Sequence, residues 1–260
     1  MLTRMTRRTG LVSVAAAFAV SSPAPAAEIA PAIADSFPTQ PVELVRETVT
    51  VAHGNVKRLR ELVDARPALA KAAYDWGFGD WEDALGAASH VGNREIAEYL
   101  ISKGARPTLY SATMLGQLEV VKAFVAAQPG CQRIPGPHSI SLLAHAKNGG
   151  ATAEKVLRYL ESLGDAGSPA APPITAEELA ALTGTYVYGS GPRDSVEIAV
   201  TRGQLMFTRK GTTSRGLVHV EGLAFHPAGA AAVRVRFALD KSAATVTVHD
   251  PEPVIVAKRA

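Results

Sequence analysis

Apolar positions recur at three- and four-residue intervals along residues 42–166, whereas along 174–260 they alternate with polar ones. That change of period predicts a helical part followed by a β part. Four segments of the helical part share one frame: an apolar or small-residue helix, a glycine, then a second helix with paired aliphatics. They read VAHGNVKRLRELVDARPAL around Gly54, DALGAASHVGNREIAEYLISKGA around Gly92, TLYSATMLGQLEVVKAFVAAQPG around Gly116, and ISLLAHAKNGGATAEKVLRYLESLG near Gly149 and Gly150. One such pair cannot hide its apolar stripe alone, so the units are expected to stack. After Gly164 the stretch DAGSPAAPPIT predicts a semi-extended spacer. A short helix over 176–182 then leads into GTYVYG, SVEIAV, QLMFTR, GLVHV, AVRVRFAL, ATVTVH and VIVAKR. Short alternating runs with turn residues between them predict an antiparallel sheet, wholly or half closed into a barrel or sandwich.

The helical frame resembles the ankyrin repeat. In its clearest unit Leu85, Ala88 and Gly92 match that family's leucine, alanine and turn glycine, Ile96, Tyr99 and Leu100 its second helix, and Gly104-Ala105 its closing pair. Leu109, Ala112, Gly116, Leu118, Val120, Val121 and Phe124 repeat the frame, and Leu142, Ala146, Val156 and Leu160 follow it with a short insertion. The family's T-P-L-H tetrapeptide is absent, and the first unit is the weakest, as suits an N-terminal cap. In the β part, Leu182, Gly184, Tyr186, Leu205, Phe225, Arg234, Arg236 and Phe237 are similar to a small domain that follows serine-β-lactamase-like hydrolase modules in bacterial envelope proteins. No such hydrolase module lies within this sequence. The expected fold class is therefore α + β in separate domains: an ankyrin-type helical-hairpin solenoid followed by a small antiparallel β barrel or sandwich. Its expected divisions are a signal peptide (1–26), a linker (27–41), the repeat domain (42–166), a Pro/Ala linker (167–173) and the β domain (174–260).

The first 26 residues have the layout of a secretory leader: basic Arg4, Arg7 and Arg8, an apolar run from Leu11 to Val20, then Ala24-Pro25-Ala26 as a cleavage site. The apolar run is about half the ~20 residues that a membrane span needs, so no stable insertion is expected after cleavage. Arg7-Arg8 behind Thr6 resembles a twin-arginine export signal, with Gly10 departing from its pattern. Export to the periplasm or beyond follows. The leader's three arginines also account for the whole excess of 27 basic over 24 acidic residues. A mature chain without net charge has no electrostatic footprint for nucleic acid.

Candidate chemistry is thin. The sequence holds no G-x-S-x-G, S-x-x-K, H-E-x-x-H, Walker or dinucleotide motif, and Gly189-Ser190-Gly191 reads as a hairpin turn. A single cysteine, Cys131, excludes an internal disulfide and a multi-thiolate metal site, and it is expected to pack as a small apolar residue. His53, His90 and His145 stand near the ends of first helices, but at different offsets from their glycines, which predicts that they point apart. No catalytic residue, metal or cofactor is therefore expected, and the chain is read as non-enzymatic.

The densest signal is YDWGFGDWED, residues 74–83, which holds both tryptophans and four acids between the first and second units. Aromatic side chains dominate interface energetics and flanking acids favour a basic or amine-bearing partner. These features predict a protein–protein interaction scaffold that grips its partner through Asp75, Trp76, Phe78, Asp80, Trp81 and Glu82 of a projecting finger, with Tyr110 and Met114 from the concave face. A structural role for part of the finger, covering the first unit, is the competing expectation. Two further functions stand open: a β domain whose Tyr186, Tyr188, Met206, Phe207, Phe225 and Phe237 line a cavity for a small apolar ligand, and an accessory module of an envelope hydrolase.

Overall fold

A computed structural model of the chain describes residues 39–240, 244–250 and 252–260. The expected leader and most of the 27–41 linker lie outside the described residues. The helical part forms four antiparallel pairs: α1 (Val42–Val51) with α2 (Val56–Ala65), α3 (Ala84–His90) with α4 (Arg94–Ser102), α5 (Leu109–Met114) with α6 (Leu118–Ala127), and α7 (Leu142–Asn148) with α8 (Glu154–Leu163). The first helices stack in a row, α1 on α3, α3 on α5 and α5 on α7, and α7 also reaches α3.

Local chemistry sets these boundaries. Asn55, Asp83, Asn93, Thr108 and Ser141 each accept a backbone N–H of the helix that follows, satisfying one otherwise unpaired donor. Every residue of α3 is buried, so its run of Ala, Gly and Ser is what admits neighbours on both sides. Gly92 and Gly116 both have φ +77, and a Cβ there would overlap the carbonyl oxygens of Asn148 and Thr152 respectively. They therefore serve twice, turning the chain where L-residues are strained and letting α7 and its following turn approach. Leu59, Leu62, Leu85, Ile96, Leu100, Met114, Leu142 and Leu160 fill the interior, each contributing about 1.5–3 kcal/mol of apolar burial.

After a short helix α9 (Ala176–Ala181), the β part closes into an eight-stranded antiparallel barrel. Two strands, β1 (Ala73–Asp75) and β2 (Trp81–Asp83), belong to the helical part. The barrel comprises β3 (Gly184–Val187), β4 (Ser195–Thr201), β5 (Gln204–Arg209), β6 (Arg215–Glu221), β7 (Ala224–Pro227), β8 (Arg234–Leu239), β9 (Ala244–His249) and β10 (Pro253–Arg259). β10 pairs with both β9 and β3 to close it. β7, only four residues long, is the strand that the alternating runs did not anticipate.

Tyr186, Phe225 and Phe237 meet edge to face inside the barrel, with ring centroids 5.8 and 5.7 Å apart. The Tyr186 hydroxyl donates to the Leu182 carbonyl at 2.8 Å. With Phe207 they form the barrel's packed core, so four of the six side chains expected to line a ligand cavity fill the interior themselves, while Met206 is half-buried outside that cluster. Tyr188 packs at its edge and donates to the Arg193 carbonyl. Among the described residues no helix is long and apolar enough to cross a membrane. Cys131 is buried in the cluster of α5, α7 and α8.

Candidate metal centre between helices and barrel

The finger of residues 74–83 is a hairpin. Tyr74 of β1 stands opposite Glu82 of β2, and Asp75 opposite Trp81. Because side chains alternate along a strand, Glu82 turns inward and Trp81 outward. The connecting turn is closed by Trp76 N–H donating to the Asp80 carbonyl at 3.1 Å. It carries positive φ at Gly77, Phe78 and Gly79. For the bulky Phe78 that conformation costs roughly 1–3 kcal/mol. Its ring compensates by packing, half-buried, against the barrel core, edge to face with Phe207 at 6.1 Å.

Four side chains converge beneath this hairpin. His53 follows α1, His90 ends α3, His138 lies in the loop between α6 and α7, and Glu82 comes from β2. Their Nε2 and Oε1 atoms all lie within 4.8 Å of one another. Glu82 Oε1 is 2.8 Å from His90 Nε2, 3.3 Å from His138 Nε2 and 3.6 Å from His53 Nε2, and the His53 and His90 nitrogens are 3.1 Å apart. Ligands about 2.0–2.1 Å from a tetrahedral zinc ion stand about 3.3–3.4 Å from each other. These four of the six separations bracket that value, and the other two, from His138 to His53 and to His90, lie within 4.8 Å.

The surrounding contacts fix which atom faces the centre for three of the four groups. His53 Nδ1 lies 3.1 Å from the carbonyls of Val49 and Thr50, so it carries the proton and leaves Nε2 with a bare lone pair. His138 Nδ1 lies 2.6 Å from Asp80 Oδ2, a carboxylate–imidazole pair of the type that orients a metal ligand. Trp76 Nε1 donates to Glu82 Oε2 at 2.8 Å, leaving Oε1 for the centre. Asp80 also accepts the His138 backbone N–H at 2.9 Å and an ion pair from Arg215 of β6. Arg215 further donates to the Gly77 carbonyl at 2.8 Å. On the barrel side, Gly229 N–H donates to Ser139 Oγ at 2.7 Å, and a Cβ on Gly229 would overlap the Asp80 carboxylate.

Two buried carboxylates demand compensation. Burial pushes Asp80 up, but the bonds from His138 and Arg215 outweigh it and hold the group at about 2. Burial likewise raises Glu82, and the His138 and His90 contacts outweigh it, again leaving about 2. Burial lowers His138, whereas Asp80 and Glu82 together lift it to about 9. Four described non-glycine residues have positive φ, and three of them, Phe78, His138 and Ser139, adjoin this centre. Strain of that kind persists only where surrounding contacts hold it.

The centre opens on one side. His53, Trp76 and His138 form one wall of a pocket of about 340 Å³, and Thr213, Ser214, Arg215, Gly216 and Ala228 of the barrel form the other. Helices and barrel thus share one site and belong to the same compact unit.

The residues proposed for partner contact are distributed differently from that expectation. Asp80, Glu82 and Met114 are buried, Phe78 packs against the barrel core, and Trp76 lines the pocket beside the centre. Asp75 caps the turn by accepting the Gly77 N–H. Tyr110 donates to the Ile134 carbonyl and packs against His145. Trp81 alone of the eight is largely exposed, at 63%. The expectation that the helix-end histidines diverge holds for His145 and fails for His53 and His90. Adjacent hairpins bring the latter two in from different sides, so that their rings meet edge to face at 4.9 Å. Sequence reasoning passed over His138, Ser139, Arg215 and Gly229. The Pro-Gly-Pro-His run at 135–138 was the available signal, because such a run fixes a tight turn at a defined place. Compared with known proteins, the sequence matches no family model and no curated relative.

Proposed function

We propose that the chain is a metal-binding protein of the bacterial cell envelope, holding one divalent transition-metal ion of the zinc type through His53, His90, His138 and Glu82. The observation that carries this reading is the convergence of three imidazole nitrogens and one carboxylate oxygen, from four separate segments, all within 4.8 Å and with four of their six separations close to those of a tetrahedral ion's ligands. Three imidazoles and a carboxylate suit zinc and its neighbours better than calcium or magnesium, which prefer all-oxygen shells. The absence of thiolate from the donor set suits an oxidising compartment, where a cysteine site would be vulnerable. In this reading the helical part is an ankyrin-type stack, supported by its paired helices and left-handed glycines, and a leader directs the chain to the periplasm or outside the cell. The barrel is the lid of the centre as well as the repeats' neighbour.

The test is zinc titration of the metal-stripped full chain by calorimetry, with elemental analysis of the product. One equivalent is expected to bind, and at zinc a hundredfold above Kd the fold gains about 2.7 kcal/mol. At roughly 2–4 °C per kcal/mol for a chain of this size, the melting temperature rises by about 5–11 °C. His53→Gln, which alters the partly exposed ligand, is expected to weaken binding at least tenfold. Zinc uptake that is substoichiometric, or equal in the variant, overturns the proposal.

A second reading, recognition of a protein partner, is favoured by the exposure of Trp81 on the outer face of β2. With Asp80 and Glu82 turned inward, that aromatic anchor is what remains of the proposed contact surface.

A further inference from the structure

We infer that the metal ion at this centre keeps one coordination place facing the pocket, and that this place takes the carboxylate of a small organic acid. The inference rests on the metal reading above and names the ligand class of the same site.

The placement of the four donors comes first. Glu82 and His90 are buried, whereas His53 and His138 line the pocket. An ion held by all four therefore has two ligands behind it and two at the rim, and its free side looks toward Thr213–Gly216. Glu82 can offer only one oxygen, because Oε2 is held by the Trp76 indole. The protein then supplies four donor atoms, and a further ligand from the pocket side requires the ion to expand from four- to five-coordination, as zinc does in some catalytic sites.

Charge decides what enters. With a divalent ion bound, the three imidazoles are neutral ligands. The buried charges are then the ion, Arg215, Asp80 and Glu82, with a net charge of about +1. One monoanion neutralises it. The pocket wall decides between an inorganic and an organic anion. Trp76 and Ala228 present apolar surface, and a volume of about 340 Å³ lies at the small end of small-molecule sites. Ser214 Oγ accepts from the Thr208 hydroxyl at 2.7 Å, which leaves its own proton to donate. Thr213 stands beside it with a second hydroxyl on the same wall. A carboxylate with one oxygen on the metal and the other toward these hydroxyls, its organic body against the indole, satisfies each of these features.

The experiment uses the cobalt(II)-loaded full chain, whose visible absorption reports coordination number. Benzoate is expected to lower the absorption saturably, as a fifth ligand does, and to do so at lower concentration than acetate. Ser214→Ala removes a donor from the wall and no metal ligand, and it is expected to raise the benzoate concentration required roughly tenfold. Stoichiometric cobalt binding with a spectrum that neither carboxylate alters overturns the inference and leaves the metal reading standing. A response to inorganic phosphate alone overturns the choice of carboxylate. Failure to take up cobalt overturns both.

Discussion

Arg215→Met probes whether helices and barrel are held together by the buried ion pair at Asp80. The two side chains are 9% and 1% exposed. Removing one partner of a buried pair typically costs about 3–5 kcal/mol, because the other charge is left uncompensated. Two features move the value toward the lower end. In the metal-free chain, the form to be melted, Asp80 retains protonated His138 as a second cation. Arg215 Nε is buried without an acceptor among the described residues, so methionine also removes an unmet donor, a gain of about 1 kcal/mol. Loss of the bond to the Gly77 carbonyl acts in the opposite direction. The net expectation is about 3 kcal/mol, or a fall in melting temperature of roughly 6–12 °C. Scanning calorimetry measures it, and a double-mutant cycle with Asp80→Asn isolates the pair. The two single losses should exceed the double loss by about 1–3 kcal/mol, as they do for groups in direct contact. Additive losses, or a fall below about 1 °C, would refute the account of how the barrel is anchored.

Two further expectations concern residues away from the centre. Burial drives the His145 imidazolium from its ordinary 6.5 down to about 4. The unfolded chain therefore takes a proton as pH falls through ~6.5 and the folded chain does not until about 4, so stability present above 6.5 declines by roughly 3 kcal/mol across that window. His145→Phe lacks this proton and keeps the ring beside Tyr110. Denaturant melts of the two proteins at pH 7, 5.5 and 4.5 should diverge, and parallel curves would count against a neutral buried imidazole. Trp81→Ala removes a side chain that faces solvent, so stability should stay within about 0.5 kcal/mol. If Trp81 anchors a protein partner, capture of that partner from a periplasmic extract by the immobilised chain should fall, and unchanged capture disposes of the second reading.

The periodicity carries most of the fold because a stacked hairpin and a barrel strand are both defined by short-range patterns. Asn55, Asp83, Asn93 and Thr108 mark helix starts in the sequence itself, and the alternation in ATVTVH reappears as inward Ala244, Val246 and Val248. The centre obeys no such period. Its donors come from a helix end, a strand and a loop, and what unites them is the stacking distance between hairpins, which no local window encodes. The finger illustrates the difference. Its two tryptophans and four acids stand out by composition, but composition is blind to which way a strand faces. Pairing of β1 with β2 sends Glu82 inward and Trp81 outward, and the inward half was read as surface. The offsets of His53 and His90 from their glycines misled for a related reason. An offset fixes a direction within one hairpin, whereas convergence depends on the position of the next. Arg215 was least legible of all, since a charged residue at the head of an apolar strand is ordinarily solvated. Only the turn at Gly229, pressed so closely to Asp80 that a Cβ would overlap it, requires the barrel to dock where that arginine meets a buried carboxylate. The helical part thus supplies all four converging side chains, and its contact with the barrel, which neither period describes, adds Arg215 at Asp80 and the facing wall of the pocket.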